Sequence, residues 1–149
     1  MAFGNPAPLG LLAFGLTTFI LSCYNAAIFG AHTSTPVNVV VGVAVFYGGV
    51  GLFVSGMWAL AAGNTFAATV FASYGAFWLS YSALLIPGFG VASGFSTDKD
   101  AEDLSHAIAI FLLAWTILTV MLLVASFRTT AGLAVLFVFL TTTFFLLTI

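Results

Sequence analysis

Long apolar runs broken by short polar or glycine-rich stretches set the pattern of this chain. Residues 9–29, 37–62, 66–86, 107–127 and 131–149 form five such runs. A bilayer core about 30 Å thick needs roughly 20 apolar residues per helix, and each run meets that length. The pattern predicts an all-α integral membrane protein: one transmembrane domain over residues 1–149, built as a bundle of five transmembrane helices. The connections carry turn chemistry. Gly30 can close the first helix, and Thr35 with Pro36 can open the second. Between the second and third runs, Gly63 suits a left-handed C′ position and Asn64 suits an N-cap, which forces a tight antiparallel hairpin. Pro87 and Gly88 end the third run, and Thr97 with Asp100 has the spacing of a capping box.

Within the runs the faces differ. Small residues recur every fourth position at Thr18, Ser22, Ala26 and Gly30, at Gly51, Ser55, Ala59 and Gly63, and at Ala68, Ala72, Ala76 and Ser80. Such stripes let membrane helices approach closely, within one bundle or between copies. Opposite its small stripe, the third helix carries Phe71, Tyr74, Trp78 and Tyr81. On the first helix Phe14, Thr18, Leu21 and Asn25 share a face, with Asn25 the deepest costly polar group. Polar groups in lipid need partners or a wet cavity. Asn25, Tyr47, Tyr74, Thr17 and Thr18 therefore either bond between helices or line an interior of neutral hydrogen-bonding groups.

Composition narrows the function. The chain is 62% hydrophobic and 4% charged, outside the range of soluble domains. All its charges, Asp98, Lys99, Asp100, Glu102, Asp103 and Arg128, lie in two short stretches, and a net charge of −2 offers nothing to steer nucleic acid. No basic segment precedes the first run, which argues against a cleaved signal peptide. Cys23 is the only cysteine and reads as packing. Asp98, Asp100 and Glu102 alternate as in a calcium loop, but Asp103 stands where glycine is required and Ala109 where glutamate is required. His32 and His106 have no ligands at metal spacing, so no metal site is expected. Lys99 and Arg128 fall in consecutive loops and leave the orientation tied. There is no nucleotide, cofactor or nucleophile motif, and the spans lack the titratable groups of acid–base catalysis, so neither an enzyme nor a cofactor is expected. A lining without charged rings suits a small carboxylate, its acid, or a neutral polar solute better than a bare metal cation.

The opening "NPAPLGL", Asn5 to Leu11, resembles the signature of the acetate uptake transporter family, the acetate and succinate permeases of bacteria and their fungal relatives. "FGLTTFIL", "FYGG" at Phe46 to Gly49, "GNTF" at Gly63 to Phe66 and "SYGAFW" at Ser73 to Trp78 extend the resemblance to about residue 80. It implies a homohexamer of six-helix subunits, each with its own path for acetate or related monocarboxylates, moved with protons. The acidic loop is more like the fungal branch, which implies the plasma membrane. It also implies a constriction of Phe14, Tyr74 and a residue of the fifth helix, where Thr142 stands in place of leucine and Leu140 is the neighbour one register away. A sixth helix is missing from this sequence, as in a C-terminally truncated member. The motif residues Asn5, Pro6, Pro8, Leu9 and Gly10 then form a helix start at the mouth of the path. With Asn5 as N-cap, Pro6 and Pro8 occupy the first turn, where an amide hydrogen has no intrahelical acceptor. The other readings are a non-transporting membrane scaffold or sensor, an inactive truncated product, and a role linked to ammonium export.

Overall fold

A computed structural model describes residues 4–30, 38–95 and 98–148. Its helices are α1 (Ala7–Asn25), α2 (Asn38–Val43), α3 (Leu52–Ala61), α4 (Thr65–Leu85), α5 (Asp98–Ser126) and α6 (Ala131–Thr148). A π-helical segment, Ala44–Gly51, joins α2 to α3, so these three pieces make one span. The chain divides into two compact units, Met1–Val91 and Ala92–Ile149.

In the first unit, α1 starts one residue later than the sequence predicts. The Pro6 carbonyl accepts the first helical bond, from the Gly10 N–H at 3.1 Å, which puts Pro6 at the N-cap and Pro8 in the first turn. The helix also stops at Asn25 rather than Phe29. There the Ile28 N–H donates to Cys23 and the Ala27 N–H to Tyr24, a Schellman closure with Ala27 left-handed at φ 51°. Gly30 is left-handed too, but lies beyond the closure. Asn25 is consequently an exposed residue of the last turn, which corrects the expectation of a deep polar group. Thr35 and Pro36 fall outside the described residues.

The tight hairpin forms as its sequence predicts. Gly63 takes φ +80°, and the Asn64 side-chain oxygen accepts from the Ala67 N–H at 3.0 Å. That turn lays α3 against α4 along small residues: a Cβ on Gly56 would stand 2.6 Å from the Ala72 nitrogen. Gly56 therefore packs on the α4 stripe of Ala68 and Ala72, and Ser55 and Ala59 on either side of it in sequence are buried. On α1 the close-packing residues are Gly10, Ala13 and Thr17; Ser22 and Ala26 are exposed. The stripe predicted there is rotated, because Thr17 rather than Thr18 faces Gly48 of the π segment.

Glycines account for that segment. Gly48, Gly49 and Gly51 leave room for a widened turn, in which the Leu52 N–H reaches back to the Tyr47 carbonyl. Helix α4 is enclosed on two sides: α3 covers its small face, while Phe71, Tyr74 and Trp78 are buried on the other side. Its hydroxyls and aromatic rings explain why it is not among the four described helices of highest apolar content, although 21 residues span about 30 Å.

In the second unit, α5 and α6 form a hairpin. Leu112, Thr116, Thr119, Leu122 and Ser126 make the buried stripe of α5, and Phe137 and Phe144 fill the facing side of α6. The Thr116 and Thr148 hydroxyl oxygens lie 3.2 Å apart. The α5 helix begins at Asp98, well before the apolar run at residue 107, because the acidic stretch is helical as well. Thr97, proposed for the capping box, lies outside the described residues. Leu12, Phe19, Phe46, Ile110 and Phe139 are all exposed, which suits lipid rather than water.

Candidate functional site: an aromatic pair between two parallel helices

The motif at the helix start holds itself together. The Asn5 side-chain oxygen accepts from the Ala7 N–H at 3.0 Å. Pro6 and Pro8 have no N–H to offer and the Ala7 N–H is met by the Asn5 side chain, so of the first-turn donors only the Leu9 amide is left without an acceptor on the helix or its cap. Gly10 serves packing: a Cβ there would lie 2.7 Å from the Phe71 ring.

One turn along α1, Phe14 meets Tyr74 of α4, with ring centroids 5.6 Å apart and planes tilted by 60°. Contacts advance in the same direction along both helices, from Gly10 with Phe71 to Phe14 with Tyr74, so α1 and α4 run parallel. Tyr74 is 2% exposed whereas Phe14 is half-buried. Tilted rings at this separation gain from both dispersion and quadrupole alignment. Past Tyr74, Trp78 meets Phe77 at 5.3 Å and Tyr81 at 6.2 Å, extending the aromatic column.

Of the residues singled out in sequence, the structure brings Phe14 and Tyr74 together. Asn25 lies at the exposed end of α1, away from that pair in sequence and burial. Thr142 belongs to the second unit; it is exposed, with its hydroxyl donating to the Val138 carbonyl at 2.9 Å, and Leu140 is half-buried. Two residues that lie inside quoted motifs were not singled out for a role: Phe77, off the i, i+3, i+7 progression, joins the column beside Trp78, and Gly48 lets the π segment approach Thr17 of α1. Among the described residues no group of His, Cys, Asp and Glu could hold a metal ion.

Apolar helices with lipid-suited exteriors, a small-residue interface and an uncharged aromatic interior define an all-helical integral membrane protein. The chain belongs to the GPR1/FUN34/yaaH family, whose sequence profile matches residues 1–149. It is 46% identical over 147 residues to Ammonia transport outward protein 2 of Saccharomyces cerevisiae, covering 99% of this chain and 50% of that one. With the succinate-acetate/proton symporter SatP of Escherichia coli it shares 34% identity over 146 residues, covering 97% and 71%. A solved structure, that of the bacterial acetate channel SatP, superposes with a TM-score of 0.79 at 32% identity, covering 97% of this chain and 74% of the other. The chain spans about half the length of the fungal relatives it matches.

Proposed function

We propose that this chain supplies the solute path of a transporter or channel-like permease for acetate and related small monocarboxylates, moved with protons. The observation carrying this reading is the Phe14–Tyr74 pair: two rings 5.6 Å apart, on two parallel helices, in a family whose relatives include an acetate/proton symporter and an acetate channel. An apolar constriction passes a small acid with a methyl end more readily than a hydrated cation, because nothing around it replaces a cation's water shell. Transport needs no catalytic group, in keeping with a protein that is not an enzyme. Thr142 belongs to the proposed constriction by resemblance, as do Asn5, Pro6, Pro8, Leu9 and Gly10 to the mouth of the path. Homohexameric assembly and a plasma-membrane location complete the proposal.

A second reading, a part in ammonium export, draws on the similarity to Ammonia transport outward protein 2. Labelled acetate uptake and ammonium release, measured together in a host deficient in both, separate the readings. Saturable acetate uptake that depends on this chain supports the first. Ammonium release without acetate uptake replaces it with the second, and neither activity leaves a scaffold, a sensor or an inactive product.

A further inference from the structure

Hydroxyls on these helices generally turn back onto their own backbone. Thr17, Ser55, Ser82, Thr116 and Thr119 each donate to the carbonyl four residues earlier, at 2.7–3.0 Å. Thr18 does not: its buried hydroxyl oxygen has no partner among the described residues. Nor does the buried indole N–H of Trp78, a side chain only 2% exposed. An unmatched buried donor is costly and uncommon, so each such group calls for something that satisfies it.

Helix register assigns these two groups to the same layer of the fold. Helices α1 and α4 run parallel, with Gly10 beside Phe71 and Phe14 beside Tyr74. Thr18 follows Phe14 by four residues, and Trp78 follows Tyr74 by four. The next helical turn past the ring pair therefore carries Thr18 on one side and Trp78 on the other. An indole N–H can only donate, and a threonine hydroxyl can donate as well, so the missing partner must offer acceptors. Phe77 and Tyr81 stand beside the indole at 5.3 and 6.2 Å and give that layer an apolar wall.

We infer that Thr18 and Trp78 form a carboxylate subsite one turn beyond the Phe14–Tyr74 pair. The indole N–H and the hydroxyl each donate to the carboxylate of a short-chain monocarboxylate, whose alkyl end lies against the rings. Neutral donors suit a passing anion: they are strong enough to replace part of its hydration and too weak to trap it. The inference rests on the acetate reading above and adds where along α1 and α4 the anion pauses.

The test uses the whole chain, purified in detergent, and acetate itself as the probe. Acetate affinity is measured by calorimetry and thermal stability is measured without ligand, for the parent, Trp78→Phe, Thr18→Val and Thr18→Ser. Removing a donor to a charged acceptor should raise the acetate Kd about ten-fold for Trp78→Phe and about five-fold for Thr18→Val, with Thr18→Ser close to the parent. The apo melting temperature of Trp78→Phe should fall less than the loss of ring volume alone would cost, since an unmatched donor is removed with it. Parent-like Kd values in both Trp78→Phe and Thr18→Val would overturn the subsite, whether or not stability falls, and would assign the pair to packing or to a bound water. If Trp78→Phe does not assemble, Thr18→Val against Thr18→Ser decides alone. A parent that neither binds nor takes up acetate overturns the transport reading as well, whereas a parent that does, with unaltered variants, overturns only the subsite.

Discussion

Gly75 of α4 and Phe53 of α3 touch backbone to backbone: a Cβ on Gly75 would stand 2.6 Å from the Phe53 nitrogen and 2.9 Å from its Cα. No side-chain rotation can relieve that contact, because every nearby atom belongs to a helix main chain. Gly75→Ala should therefore push α3 from α4 and cost about 1–3 kcal/mol. Gly15, with nothing within 4 Å of its notional Cβ, supplies the contrast. Gly15→Ala should be neutral or stabilising by up to about 1 kcal/mol through helix propensity. Thermal unfolding in detergent measures both, and equal midpoints for the two variants would refute the close approach.

The π segment makes a second, softer contact. A Cβ on Gly48 would lie 2.7 Å from the Thr17 methyl and 2.8 Å from its hydroxyl oxygen. Both atoms are absent in Thr17→Ala, which leaves the Thr17 Cβ, at 3.0 Å, as the nearest obstacle. Gly48→Ala alone should destabilise clearly, and adding Thr17→Ala should recover part of the loss, a coupling of about 0.5–3 kcal/mol. Strict additivity in a double-mutant cycle would show that the glycine serves the π-helical backbone alone.

The sequence made some of this legible because lipid imposes a coarse and strict rule, in which apolar runs of the right length become helices. Asn64 and Gly63 announced their turn because cap and C′ chemistry are local. The end of α1 was not legible in the same way. Its closure falls on Ala27, a residue with no preference for positive φ, while the better candidate Gly30 lies just past it. Facing partners were likewise hidden: helical spacing of three or four residues marks Thr18 and Ser22 as readily as Gly10, Ala13 and Thr17, and only the neighbouring helices decide which stripe is covered. The aromatic face of α4 was plain from its spacing, yet the meeting of Tyr74 with Phe14 needed the register of two helices far apart in sequence.

If the Phe14–Tyr74 pair narrows a solute path, ring size should set what passes. Phe14→Ala and Tyr74→Ala should each raise the lactate-to-acetate uptake ratio several-fold, with Tyr74→Ala also losing about 3–5 kcal/mol of stability because that ring is fully enclosed. Thr142→Leu, which enters on resemblance alone, should lower the ratio. Uptake of each labelled acid by cells expressing each variant provides the measurement. Ratios unchanged across all three, at matched expression, would make these residues packing and nothing more.

Asn5 separates a helix cap from an anion's approach. Its side-chain oxygen accepts from the Ala7 N–H at 3.0 Å, and an aspartate oxygen can do the same, so Asn5→Asp should express and assemble normally. Asn5→Ala loses the bond and should cost about 1 kcal/mol. A carboxylate arriving at the helix start meets a different situation. The positive end of α1, with the Leu9 amide still lacking a helical acceptor, attracts it, and an aspartate charge at position 5 would offset that attraction. Asn5→Asp should therefore reduce acetate uptake strongly near neutral pH while Asn5→Ala reduces it little. The sign of the pH dependence follows from which form repels: the ionised carboxylate, present above its pKa of roughly 4, inhibits, and protonation removes the charge. The defect should shrink as the pH on the side of the membrane that residue 5 faces falls from 6 toward that value, set separately inside and outside sealed vesicles and read relative to the parent at each pH. Parent-like uptake by Asn5→Asp at pH 6 would leave "NPAPLGL" as a helix start whose prolines simply spare it two unmatched amide hydrogens.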